Sequence, residues 1–310
     1  MYVIDNGEKY AMTWLGKLFL LLLSTGCLAQ ATTPIRFVDA SGIHHNPNNR
    51  YFIQLIDEAM AVTTSKYGAY ELQPVDIDIS QSRQLKELEK GTFDLYWTMA
   101  TPAREYQLQS IPIALSKGSY GIRLLVVRKV DMPQLAFIRE KEQLAEKVAL
   151  SGEDWPDTAI LRFNHFTVAA ASKDVNLYPL LHREEQYYFP RGLFEADAEL
   201  QAAQNQDFAI LPQLVLRYPV EMRFYVAKNN NALAQRLTEG LMKKKQRGRF
   251  DQIFYQFAPH AAAIKRLNMA DAKVLELNSP YEMTGEQLQV IYAEQDQLLQ
   301  RFGIKNTSRE

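Results

Sequence analysis

Three short segments carry most of the chemistry this sequence could perform. In Thr101-Pro102-Ala103-Arg104-Glu105, a threonine N-cap and a proline at the first helical position start a helix. Arg104 then stands beside the oriented N–H groups of that start, and its planar guanidinium fork matches a carboxylate. The competing reading is a surface arginine paired with Glu105 or another acid. Thr98 and Thr101 could add hydroxyls to the same place. In Asp154-Trp155-Pro156-Asp157, Asp154 reads as the N-cap and Asp157 as a first-turn acid of a helix through Phe163, roles that require no ligand. In Phe189-Pro190-Arg191-Gly192, Arg191 either offers a positive charge or pairs with Glu195 four residues along its helix. Trp97 and Trp155 are candidate walls for a bound molecule, with core packing as the alternative.

Other chemistries find little support. The chain holds no G-x-S-x-G, H-E-x-x-H, P-loop or C-x-x-C pattern. Its five histidines, His44, His45, His165, His182 and His260, have no neighbours at metal-ligand spacing, so neither metal nor cofactor is expected. Lys+Arg is 35 against Asp+Glu 36, which gives no global field for nucleic acid. The basic cluster Lys243-Lys244-Lys245, Arg247 and Arg249 sits where a helix ends, and there cations complement the dipole. Arg217 is read as lying away from any ligand.

Residues 12–31 form a charge, an apolar run (18–23) and a small-x-small site, Ala29-Gln30-Ala31. That order predicts a secretory signal peptide, residues 1–31, cut after Ala31. Asp5 and Glu8 do not suit a positive leader, which makes Met12 the better start. Ser24-Thr25-Gly26-Cys27 is a poor lipobox, because Ser24 stands where Leu is usual, and ordinary cleavage is preferred to a lipoprotein anchored through Cys27. Cys27 is the one cysteine, so the mature chain is expected to have no disulfide.

These residues must be positioned by alternating strands and helices. Strands are predicted at 35–39, 75–79, 93–99, 111–115 and 120–128, with helices at 51–67 and 82–90 between them. After a polar stretch at 129–146, a second unit is predicted with strands at 147–150, 167–170 and 187–189. Its helices are predicted at 154–163, 177–184 and 193–203. A strand at 220–226 crosses back to the first unit, followed by helices at 230–247 and 250–257. This alternation predicts an α/β fold of two lobes, each a mixed sheet flanked by helices, joined by two hinge strands and closing by hinge motion. The boundaries are 32–127 for the first part of lobe 1, 128–220 for lobe 2 and 221–260 for the return to lobe 1. Residues 261–310 form a C-terminal extension with a helical pattern (Leu288, Ile291, Leu298, Leu299) and no assigned role.

Gly91-Thr92-Phe93-Asp94-Leu95, Thr101-Pro102-Ala103-Arg104-Glu105 and Ile111-Pro112 follow one another at a familiar spacing. Near the end come Leu233-Ala234, Gly248-Arg249-Phe250-Asp251 and Phe257. On these residues the chain, over 35–257, resembles a periplasmic solute-binding protein of the polar amino acid type (family 3), the extracytoplasmic receptors of ABC importers. Trp155-Pro156-Asp157-Thr158 and Phe189-Pro190-Arg191-Gly192 resemble an uncharacterised branch of it. The resemblance implies the type II periplasmic-binding-protein fold, a monomer in the periplasm, and a small polar ligand bearing a carboxylate that is delivered to an ABC permease. It implies that Arg104 clamps that carboxylate and that the loop of Asp154 touches the ligand, with Asp154 a possible ammonium partner. At the position of the family's ammonium-binding Asp this chain has Tyr187, and Met99 stands where relatives often place a serine. With Arg191 also facing the cleft, a ligand with two acidic groups becomes attractive. The alternatives are a free periplasmic sensor acting on a separate membrane receptor and, less favoured, a periplasmic enzyme.

Overall fold

A computed structural model describes residues 32–39, 48–77, 79–171, 177–183, 187–201 and 205–305. The predicted leader with Cys27, and His44 and His45, lie outside those residues. Among the described residues eleven strands occur in chain order. The first six are β1 (Thr33–Val38), β2 (Tyr70–Val75), β3 (Tyr96–Met99), β4 (Gln109–Ser110), β5 (Ile122–Arg128) and β6 (Val148–Gly152). They are followed by β7 (Thr167–Ala171), β8 (Tyr187–Gly192), β9 (Phe208–Arg217), β10 (Met222–Val226) and β11 (Lys273–Glu276).

The first lobe gathers β1 to β4 and β10. β1 and β2 run parallel from Thr33↔Tyr70 to Val38↔Val75, a Phe37↔Leu95 bridge joins β1 to the approach of β3, and β10 lies antiparallel between β3 and β4. Helix Asn49–Ala61 buries Tyr51, Phe52, Leu55, Ile56, Ala59 and Met60, one face at helical spacing. It packs on helix Asn231–Gln246 at Gly240, where a Cβ would stand 2.2 Å from the Ala59 carbonyl oxygen. The second lobe is a six-stranded sheet ordered β11-β9-β5-β8-β6-β7, with β5 antiparallel to both neighbours and β6 parallel to β7 and β8.

Several sequence expectations shift. β5, expected at the end of lobe 1, belongs to the second sheet, so the first crossing falls at residues 116–121 rather than at 127/128. β9 has no counterpart in the sequence reading, although it is the longest strand. Its Pro212 cannot donate to a ladder, and the pairing with β5 does shift register between Leu124 and Val126. Pro112 similarly breaks the strand expected at 111–115, leaving single bonds from Ile111 N to Phe224 O (2.8 Å) and Leu115 N to Met222 O (2.9 Å). The strand expected at 75–79 ends at Val75, and the helix expected at 177–184 is a 3-10 turn, Tyr178–His182.

The two crossings touch: Tyr218 N donates to Gly121 O at 2.9 Å. Gly121 permits this, because a Cβ there would meet the Tyr218 oxygen at 2.1 Å. The C-terminal extension seals the same place. β11 adds to β9 in parallel, and helix Gly285–Arg301 sets the fully buried Gln295 against both crossings, its Nε2 donating to Gly118 O and Tyr218 O at 3.0 Å each. Arg217, also fully buried, donates to Gln295 Oε1 at 3.0 Å and pairs with Asp296 at 2.8 Å and Glu276 at 3.2 Å. An aromatic knot joins the lobes nearby: His260 stacks on Phe194 with centroids 4.1 Å apart and contacts Phe254, while Phe302 packs on Phe194.

Candidate functional site

β3 delivers its C-terminal end to the seam between the lobes. Thr101 caps helix Pro102–Gln107 by accepting from the Arg104 N–H at 3.3 Å, as its type and spacing predict. The cap holds Arg104 in the first turn, and its side chain folds back along the end of β3. One terminal nitrogen donates to Thr98 Oγ1 (2.5 Å) and Met99 O (3.0 Å); the other donates to Gln81 Oε1 (3.1 Å) and reaches Asp154 O of the second lobe at 3.5 Å. Arg104 is only 7% exposed, and no carboxylate pairs with it among the described residues. Burial pulls its guanidinium down from the ordinary value, against smaller opposing effects of Tyr96, Tyr225, Tyr281 and Asp154. A guanidinium nevertheless stays charged, and a buried charge without a counter-ion is costly.

Asp154 faces it from the other lobe. Pro156 fixes the start of helix Pro156–Phe163 and puts Trp155, not Asp154, at the N-cap. The Asp154 carboxylate instead accepts from Ser82 N at 2.6 Å, in the first turn of lobe 1's helix Gln81–Lys90. The expected local cap is thus a cap across the seam.

Behind Asp154 lies a buried ionic network. Asp157 accepts from Arg123 at 2.5 Å and from the Tyr218 hydroxyl, which itself accepts from Arg123 Nε at 2.8 Å. Arg123 also reaches Glu195 at 3.4 Å. Arg191 forms a forked pair with Glu199 (2.9 and 2.6 Å) and lies 3.4 Å from Glu195. Among the described residues, two guanidiniums here face three carboxylates. Burial alone would lower both arginines, but Asp157, Tyr218 and Glu195 raise Arg123, and Glu195 and Glu199 raise Arg191. Arg191 is therefore matched within its own lobe, by Glu199 more closely than by the Glu195 that the sequence suggests.

The remaining candidates divide. Trp155 is half-buried at the seam, stacked on Phe189 (6.2 Å) with the Arg191 guanidinium 5.2 Å over its ring; a Cβ on Gly152 would stand 2.4 Å from its Nε1. Trp97 is lobe 1 core, stacked on Phe52 at 5.5 Å and donating to Asn49 Oδ1 at 3.3 Å. Tyr187 opens β8 opposite Val148. Four residues of extended chain separate it from Arg191, roughly 13 Å at about 3.3 Å per residue, so it is not brought to the others. Sequence reasoning offered Glu195 as a partner of Arg191 but missed Glu199 and the pairing of Arg123 with Asp157, because the members of this network converge from two strands, two helices and the residue that follows β9. Among the described residues no three His, Cys, Asp or Glu side chains group as a metal site, and no helix is long and apolar enough to cross a membrane.

Comparison with solved structures settles the architecture. The chain superposes on an arginine-specific periplasmic binding protein of Salmonella typhimurium with a TM-score of 0.53 at 17% identity, over 73% of this chain and 99% of that one. It matches an ancestral arginine-binding protein bound to arginine (TM-score 0.50, 17% identity, 73% and 98% covered). It matches equally a histidine kinase sensor domain similar to periplasmic binding proteins (0.50, 15%, 73% and 96%). The fold is that of a two-lobed periplasmic binding protein. No family model matches the sequence, and no curated protein does so.

Proposed function

We propose that this chain is an extracytoplasmic solute-binding protein that closes on a small polar ligand, an amino acid or a related carboxylate, and delivers it to an ABC importer. The observation that carries this reading is Arg104: a buried cation at the lobe seam, held by hydroxyl and carbonyl oxygens and matched by no carboxylate among the described residues. Its fork would take the ligand's carboxylate, with Thr98 and Thr101 shaping the lobe 1 side. The opposite wall carries Asp154, Trp155 and the acid-rich network around Asp157, which suits an amino group. A zwitterion satisfies both sides, whereas a ligand with two acidic groups loses support because Arg191 is already matched. Binding without turnover, export by the leader and a monomeric state belong to the same reading.

The likeness to a kinase sensor domain supports a second reading, in which the closed protein signals to a membrane receptor instead of a permease. Native mass spectrometry of protein purified from the periplasm tests the first. A single small carboxylate-bearing molecule should accompany the protein. Protein recovered bare, and bound by none of the common amino acids in calorimetry, would overturn it.

A further inference from the structure

The C-terminal extension does more than brace the crossings. Between β11 and helix Gly285–Arg301 the chain is pinned at successive points. Leu277 N donates to Arg217 O (2.7 Å), Asn278 N donates to Asn164 Oδ1 (3.0 Å), and Asn164 Nδ2 donates back to Asn278 O (2.7 Å). Tyr281 N then turns onto Ser279 Oγ at 3.1 Å, and a capping box at Thr284 and Gln287 starts the helix. This path lays the half-buried Tyr281 over the start of helix Pro156–Phe163, where its hydroxyl donates to Pro156 O at 3.2 Å. Pro156 lies between Trp155 and Asp157, two residues from the Asp154 carbonyl that Arg104 approaches. Burial raises the Tyr281 phenol, and the charges acting on it are Arg104, which lowers it, and Asp157, which raises it.

We infer that Tyr281 is a specificity-determining residue: the extension forms a third wall of the Arg104 site, and the Tyr281 ring limits what reaches the guanidinium. The hydroxyl proton is committed to Pro156 O, so the phenol presents a ring face and an acceptor oxygen, a surface that suits an amino or guanidino group beside the carboxylate held by Arg104. This inference rests on Arg104 as the ligand's anchor, which fixes the form of the test.

Two measurements on the full chain separate them. Phenylglyoxal modification of Arg104, mapped by peptide mass spectrometry, needs no ligand. Tyr281→Ala should speed it several-fold while the fully buried Arg217 stays unmodified, which separates local exposure from unfolding, whereas Tyr281→Phe, which keeps the ring, should leave it slow. Calorimetric titration with L-arginine, L-lysine, L-glutamate and L-glutamine follows. Tyr281→Ala should change the affinity for the tightest of these about tenfold or reorder the four. Unchanged Arg104 modification in Tyr281→Ala, or a Tyr281→Phe variant that behaves like it, would overturn the wall. Binding by the unaltered chain that is insensitive to Tyr281→Ala would overturn the selectivity. A chain that binds none of the four counts against the proposed ligand class, and the modification rates still decide the wall.

Discussion

Replacing Arg217 by methionine tests how firmly the extension is tied to the crossings. Its side chain is fully buried and its polar partners among the described residues come from the extension: Gln295, Glu276, Asp296 and the Tyr292 carbonyl, which accepts at 3.0 Å. Truncating one member of a fully buried ion pair costs about 3 to 5 kcal/mol. Here Asp296 and Glu276 keep 27% and 36% of their side chains exposed, so water rescues part of each stranded charge. Gln295 has no such relief, and an abandoned buried acceptor costs about 1 to 3 kcal/mol. Methionine refills most of the volume, and the net expectation is a loss of about 3 kcal/mol. Urea unfolding should show it as a lower midpoint at similar slope. A double-mutant cycle with Gln295→Leu should give a coupling of about 1 kcal/mol or more. A loss below about 1 kcal/mol with no coupling would refute the idea that Arg217 and Gln295 tie the extension to the crossings. The same burial, one residue from Tyr218 and its bond to Asp157, makes Arg217→Ala unsuitable as a neutral comparison for ligand binding, although the sequence places Arg217 away from any ligand.

Arg104→Ala should weaken ligand binding at least about tenfold in calorimetry, since a charge-assisted contact contributes about 1.5 to 3 kcal/mol and about 1.4 kcal/mol is tenfold; Arg104→Lys should restore only part, lacking the planar fork. His260, whose Nδ1 contacts Phe254 O at 2.9 Å, is held by burial down to about 4, so the folded protein keeps it neutral. Between its unfolded value of about 6.5 and about 4 the unfolded chain binds the extra proton. Stability should therefore fall as pH drops through that window, by about 3 kcal/mol in all. The His260→Phe chain should lose that part of the pH dependence in urea titrations. Gly240→Ala gains helix propensity of about 1 kcal/mol but drives a Cβ onto the Ala59 backbone. Overpacking of that kind costs about 1 to 3 kcal/mol, and the melting temperature should drop.

How much of this was legible in the sequence depends on how local each feature is. Thr101 and Asn230 cap the helices that their types announce, with bonds from Arg104 N and Leu233 N. Apolar spacing located helix Asn49–Ala61 and the buried face of helix Gly285–Arg301. β9 was lost because Pro212 interrupts its pattern at a register shift. The partners of Arg104 were beyond reach for another reason: Gln81 lies 23 residues away on another element of the same lobe, and Asp154, 50 residues away, meets it only when the lobes do. Asp154 looked like a cap and is one, but for a helix in the opposite lobe.

The order in which the strands are used bears on how the chain comes to fold. The β3-β10-β4 sheet lacks its central member until β10 is made, and the six-stranded sheet lacks an edge until β11, at residues 273–276, arrives. Before that, β9 presents an unpaired edge of N–H and C=O groups, a template for wrong pairing. Neither lobe can be completed from a contiguous N-terminal stretch, and the pairings that finish them span long separations, which slow folding. A growing chain therefore cannot close its six-stranded sheet until residues 273–276 are available, however early its helices form.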